Sequence, residues 1–168
     1  GIDKSIYRRH REGTPIIGIC GGYQILGKEI FDPSGIESSL KRINGLGLLD
    51  ATTTIFDTKV TTQTTGEFLN SLGLSGNTVG DQVGGYEIHM GKTELQGDCV
   101  PAIKLENGDH DGAISSNGRV LGTYLHGIFE NDSLRKGIIN NLRRNKGFDI
   151  AEDQLSYNEL KELEYDKL

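Results

Sequence analysis

The sequence predicts an α/β domain with an open, mostly parallel sheet and flanking helices. Three observations carry the prediction. Short continuous apolar runs recur at Pro15 to Cys20, Leu46 to Leu49 and Val120 to Leu125, the pattern of strands covered on both faces. Two of these runs end at a glycine junction and give way to residues at helical spacing, after Cys20 and after His126. Glycine is abundant, 24 of 168 residues, and follows no period, which points to many tight turns rather than a collagen-like repeat. The length suits one domain with its own core, residues 1–168.

Taken in order, Ser5 to Arg11 reads as the end of a helix stopped by Gly13 and Pro15. Pro15 to Cys20 is a strand. Tyr23 to Ile30 has helical spacing, so Cys20 lies on a strand-turn-helix junction. Asp32-Pro33-Ser34-Gly35 is a turn. Leu46 to Leu49 is expected as a second buried strand. Ala51 to Gln63 alternates threonine with apolar residues and reads as a strand, Gly66 to Gly76 as a loop with a short helix, and Val83 to Leu95 as an extended segment. Glu106 to Gly118 reads as a loop or as a hairpin turning at Asn117-Gly118. Val120 to Leu125 is a further strand. Asn131-Asp132-Ser133 caps a helix that runs through Leu142 and stops at Gly147. The tail from Ala151 is charged and helical in pattern, and Leu168 ends it in mid-pattern. With no methionine at position 1, the chain is expected to be an excerpt of a longer protein.

Several function classes are excluded by composition. The formal net charge of −6 leaves no basic surface for nucleic acid. The clusters Arg8-Arg9-His10-Arg11 and Arg143-Arg144 read as solvated helix faces. No apolar run approaches the roughly 20 residues of a membrane helix, and from Gly1-Ile2-Asp3-Lys4, which lacks an apolar stretch, no signal peptide is expected. Two distant cysteines, Cys20 and Cys99, make no disulfide framework, so a cytoplasmic location is expected. There is no Cys-x-x-Cys or His-x-x-x-His, so no metal site is expected. The stretch Gly18 to Gly27 lacks the lysine and hydroxyl of a phosphate loop, and its glycine spacing is not that of a dinucleotide fold.

Cys20 is the candidate nucleophile. A thiol attacks as the thiolate, which the free N–H groups at a helix start stabilise. Gly21 and Gly22 permit a sharp turn and leave the N–H of Gly21 open to a substrate oxygen, the logic of a nucleophile elbow. The alternative reading is a small core residue beside a tight turn. Of the four histidines, His10 lies in a basic helix and His110 between Asp109 and Asp111. His126 ends a strand-like run, as Cys20 does, and sites of open α/β sheets gather at strand ends. His126 is therefore the first candidate base and His89, in "YEIHMG", the second.

At these residues the chain resembles the class I glutamine amidotransferases, whose flavodoxin-like fold carries Gly-x-Cys-x-Gly-x-Gln at a strand end. Gly18, Cys20, Gly22 and Gln24 match it. "GICGGYQILG", "DPSGIES", "GLGLLD", "GYEIHMGKTEL" and "GTYLHGIFEND" together resemble the branch that amidates cobyrinate, the glutaminase domain of the cobyric acid synthase family. The resemblance implies that Cys20 attacks the side-chain amide of L-glutamine, that His126 is its base, and that the N–H of Gly21 meets the oxyanion. It implies a glutamine-framing role for Gln24, with plain helix packing as the alternative. Tyr86, Glu87 and His89 are expected to line the site or a synthetase interface. It implies no cofactor in this domain. ATP and magnesium belong to a preceding synthetase domain, whose distant acceptor is adenosylcobyrinic acid a,c-diamide. Most class I enzymes carry a glutamate two residues after the histidine, where this chain has Ile128. The cobyrinate branch is similar in lacking it, which leaves Glu87 and Glu130 as candidates to orient His126. The N-terminal strands of the family domain, with the other half of the oxyanion hole, are expected upstream of Gly1. The competing readings are a glutaminase serving another acceptor, such as lipid II, and an inactive amidotransferase-like fragment.

Overall fold

The computed structural model describes residues 1–73, 78–151 and 156–167. Helix α1 (Ile2–Arg11) leads into β1 (Ile16–Ile19), α2 (Gly21–Leu26), β2 (Glu29–Phe31) and β3 (Arg42–Asn44). A long ribbon follows, β4 (Ala51–Phe68) and β5 (Gln82–Leu95). Then come β6 (Val100–Leu105), β7 (His110–Ile114), β8 (Val120–Thr123) and β9 (Leu125–His126), a 3₁₀ turn at Ile128–Glu130, α3 (Asp132–Asn145) and α4 (Tyr157–Tyr165).

The strands form one sheet in the order β1-β8-β7-β6-β4-β2-β3, with β5 bridging β4 and β9. Two pairings are parallel, β1 with β8 and β2 with β4. The other six among the described residues are antiparallel. The expected α/β class holds, but parallel pairing is confined to these two seams. The reason is connectivity: β4 to β5, β6 to β7 and β7 to β8 are adjacent pairs that run antiparallel, and only a crossover yields a parallel neighbour. The hairpin turning at Asn117-Gly118 is as expected, with the Gly118 N–H donating to Ser115 at 2.8 Å.

Alternation along β8 divides the core. Leu121 joins Phe68, Ile103, Leu125, Ile128 and Leu134 in one apolar cluster, which α3 closes. Val120 joins Tyr23, Leu26, Leu49 and Tyr124 in a second, on the α2 side. Both faces of this strand are dry, which explains its continuous apolar sequence.

Three expectations need correction. The helix of Tyr23 to Ile30 stops at Leu26, because Glu29, Ile30 and Phe31 pair with Thr52, Thr53 and Thr54 of β4. Leu46 to Leu49 is not a strand. Its N–H groups donate instead to the carbonyls of Ile25, Gly27 and Leu26, satisfying acceptors left free at the end of a short helix. The apolar run reflects burial against α2, with Leu49 fully buried. From Gly66, β4 continues to Phe68 in place of a loop; residues 74–77 of that expectation lie outside the described set. The tail helix is present as α4, opened by a capping box of Ser156 and Glu159, while residues 152–155 and 168 lie outside the described set.

The "DPSGIES" turn has a specific cause. Asp32 is buried, and its carboxylate accepts the N–H groups of Ile36, Glu37 and Ser38 at 2.8, 2.9 and 2.9 Å. Burial alone would raise its pKa, but these donors together hold it below the ordinary carboxylate value. A lowered folded pKa contributes stability above the unfolded value and loses it as pH falls through the folded one. Asp32→Ala is therefore expected to lower the thermal unfolding midpoint at neutral pH, with the gap to wild type closing below about pH 3.9; scans across pH check it.

Close packing also explains the glycines at the strand ends. A Cβ on Gly122 would lie 1.9 Å from the Tyr23 ring, and one on Gly18 would lie 2.5 Å from the Gly22 carbonyl oxygen. Both strands must be bare for α2 to sit on them. Gly122→Ala is expected to destabilise the fold by about 1–3 kcal/mol, the range for overpacking, as read by denaturant titration.

Candidate functional site

The parallel seam of β1 and β8 ends both strands on the same side, and the two candidate catalytic residues follow those ends. Ile19 pairs with Thr123, and the Cys20 N–H donates to the Thr123 carbonyl at 2.9 Å. Cys20 then leaves the strand with φ 54° and ψ −115°, the sole positive φ of a non-glycine among the described residues. Such a backbone costs about 1–3 kcal/mol and persists where the surroundings enforce it. Here β1 fixes one side and α2 the other, since the Cys20 carbonyl accepts the Gln24 N–H at 3.1 Å. The thiol is thus presented at the helix start rather than packed beneath it. Gly21 opens α2, exposed, with no atom within 4 Å of where a Cβ would stand.

His126 reaches the same place by a different route. The chain leaves β8 after Thr123 and re-pairs with β5, setting His126 opposite Tyr86 and Leu125 opposite Glu87. The Cys20 Sγ donates to the Ile88 carbonyl at 3.4 Å. Cys20 and His126 therefore meet the same strand at positions two residues apart, about 6–7 Å along it. The His126 Nε2 is buried and has no hydrogen-bond partner. Beyond His126, the Asn131 side chain is locked to β5: its Oδ1 accepts the Gly84 N–H and its Nδ2 donates to the Gly84 carbonyl, both at 2.9 Å. Asn131 occupies the expected cap position of α3, but its side chain serves β5 instead of the helix.

Residues of β5 separate by parity. Tyr86 shares the His126 face and is exposed, whereas Glu87 and His89 face the other way. There His89 stacks on Tyr124 at 3.9 Å and 17°. Its Nδ1 lies 2.7 Å from the Gly91 carbonyl and its Nε2 lies 3.6 Å from a Glu87 oxygen. Burial alone would lower the His89 pKa, but Glu87, the Gly91 carbonyl and Asp111 raise it above the ordinary imidazole value. Glu87 is committed to this pair and turned away from His126, so it is not the orienting carboxylate. Glu130 is exposed and folds back over Gly127, where a Cβ would lie 3.4 Å from its Oε1. Gln24 places its side chain on the Tyr124 hydroxyl and against Gly91. The Tyr124 hydroxyl also meets Thr93 at 2.7 Å, and Thr93 meets Thr53 at 2.7 Å.

Two large hollows open among the described residues. One of about 1160 Å³ lies between α1 and α3, lined by Ile2, Ile6, Ile139, Leu142 and Phe148, and holds none of the candidates. The other, about 840 Å³, is bordered by Glu87, His89, Gly91, Thr93, Asp111 and Tyr124. Asp111 is the residue that the sequence reading passed over. Its signal was an acidic residue leading directly into the apolar "GAI". It is buried, and its Oδ1 accepts the Tyr124 N–H at 2.9 Å. Among the described residues no group of histidine, cysteine and carboxylate side chains could hold a metal ion. No described helix is long and apolar enough to cross a membrane.

Comparison with known proteins agrees with this architecture. The chain is similar to the PurLQS structure from Thermotoga maritima, with TM-score 0.62 and 18% identity over 84% of this chain and 68% of that one. It is also similar to a glutamine amidotransferase crystal structure, with TM-score 0.51 and 20% identity over 86% and 66%. Both likenesses are of fold. In sequence it is 48% identical to a cobyric acid synthase of Thermoanaerobacter sp. (strain X514), over 99% of this chain and 34% of that protein. It is 41% identical to the cobyric acid synthase of Citrobacter koseri over 97% and 33%. The chain thus spans about a third of the length of the curated relatives it matches. Residues 1–134 match the CobB/CobQ-like glutamine amidotransferase domain, and the chain belongs to that family of enzymes.

Proposed function

We propose that this chain is the glutamine-hydrolysing part of a cobyric acid synthase. The observation that carries the reading is the paired strand ends: Cys20 in its strained turn before α2, and His126 two positions along the strand that the thiol touches. The relatives' name supplies the acceptor class.

In this mechanism His126 takes the Cys20 proton, and the thiolate adds to the side-chain amide carbon of L-glutamine. The buried, unpartnered Nε2 of His126 is the atom suited to that transfer. The tetrahedral oxyanion is met by the Gly21 N–H at the start of α2. Collapse breaks the C–N bond, His126 returns the proton to the departing ammonia, and a thioester remains. Water, deprotonated by His126, then releases glutamate and restores the thiol. The Gln24 side chain lies beside Gly91 and the Tyr124 hydroxyl, which favours the helix-packing alternative, and Tyr86 stands on the open side, paired across from His126. Ammonia passes to a synthetase domain, where ATP and magnesium activate the carboxylates of adenosylcobyrinic acid a,c-diamide for amidation at b, d, e and g. Cys20 and Cys99 are both free thiols, in keeping with a reducing cytoplasm.

Cys20→Ser and His126→Asn are each expected to lower kcat for glutamine hydrolysis in the intact protein by at least about a thousandfold. Added ammonium is expected to restore cobyric acid formation in the Cys20→Ser variant. Glutamate release that survives Cys20→Ser would sink the nucleophile assignment. Rescue that fails would sink the two-site scheme.

A further inference from the structure

We propose that Asp111 is a positioning residue for the Cys20–His126 pair, an inference that rests on the glutaminase reading. Between Thr123 and Leu125 the chain leaves β8 and changes partner to β5. Two backbone N–H groups are off the ladder there, those of Tyr124 and Leu125, and the Thr123 hydroxyl links them to one carboxylate. The Thr123 hydroxyl donates to the Asp111 Oδ2, and the Tyr124 N–H donates to the Oδ1 at 2.9 Å. The Leu125 N–H donates to the Thr123 hydroxyl oxygen at 3.0 Å. One carboxylate therefore secures the whole crossover, directly at two residues and through Thr123 at the third.

Both candidate catalytic groups hang from this crossover. His126 follows Leu125 immediately, and the Thr123 carbonyl is the acceptor that anchors Cys20. Asp111 is 3% exposed and forms no ion pair among the described residues. A buried carboxyl is costly unless its oxygens are bonded, and both oxygens of Asp111 are spent on the crossover, with His89 the cationic group whose charge opposes the rise of its pKa. The two donors reach different oxygens, and an amide in its place keeps an oxygen at one of these positions and sets an NH2 donor at the other. Burial raises the Asp111 pKa, and the bonds from Thr123 and Tyr124 oppose that rise. Asp111 touches neither candidate catalytic side chain, so its influence passes through the backbone of residues 123–126.

The test measures steady-state glutamine hydrolysis by the intact protein in Asp111→Asn, Thr123→Val and Thr123→Ser, with Cys20→Ser as reference and thermal unfolding to verify folding. Asp111→Asn and Thr123→Val are expected to lower kcat by about 10–100-fold, the scale of a misplacement near 1 Å, with KM within about twofold. Thr123→Ser keeps the hydroxyl and is expected to hold kcat within about threefold of wild type, on the same displacement scale. If Asp111→Asn fails to fold, the Thr123 pair decides. Folded Asp111→Asn or Thr123→Val with wild-type kcat, or a change confined to KM, overturns the positioning role while an inactive Cys20→Ser leaves the glutaminase reading intact. An active Cys20→Ser overturns the reading itself.

Discussion

The parallel seam between β1 and β8 is the constraint on which the rest of the site depends. Four residue pairs, from Ile16 with Val120 to Ile19 with Thr123, set two chain segments more than a hundred residues apart into one register. The register ends in the Cys20 N–H bond to Thr123, so the elbow and the crossover start from a shared peptide group. A slip of one residue would turn every side chain of β8 to the wrong face. It would also put Gly122 out of reach of the Tyr23 ring, the contact that seats α2.

From that seam the site is built by competition for hydrogen bonds. α2 is only six residues long, and its terminal carbonyls are occupied by the backbone of residues 46–49. The β8 strand is abandoned after Thr123, and Asp111 and Thr123 take over the donors that the ladder no longer serves. Asn131 performs the equivalent task downstream, standing in for backbone where β5 extends past β9. Each device spares a buried polar group from being left unpaired, which would cost about 1–3 kcal/mol. Together they hold a strained cysteine and a histidine with an empty nitrogen against one strand.

Much of this was legible in the residues. Strand-turn-helix at Cys20 followed from an apolar run, three glycines and a helical period. The alternation of "YEIHMGKT" identified an extended strand, and its odd members, Glu87, His89, Gly91 and Thr93, prove to face Tyr124. Where the reading failed, local pattern met a long-range partner. Leu46 to Leu49 has the composition of a buried strand, but burial was all the pattern encoded, and the partner was a helix end. The sheet has more antiparallel pairs than expected because apolar runs report burial and are silent on strand direction. Asp111 was passed over because a single acidic residue in a polar stretch carries no period.

The sequence by itself determined the α/β class, the elbow at Cys20, the strand end at His126 and the family, since each is written in local periodicity, glycine placement or contiguous motifs. Tertiary structure alone decided which face of β5 each polar residue serves, that Glu87 is turned from His126 toward His89, and that Asp111 closes the crossover. These depend on strand register and on contacts between segments far apart in the chain. Such contacts are selected by the satisfaction of buried donors and acceptors once the sheet has formed.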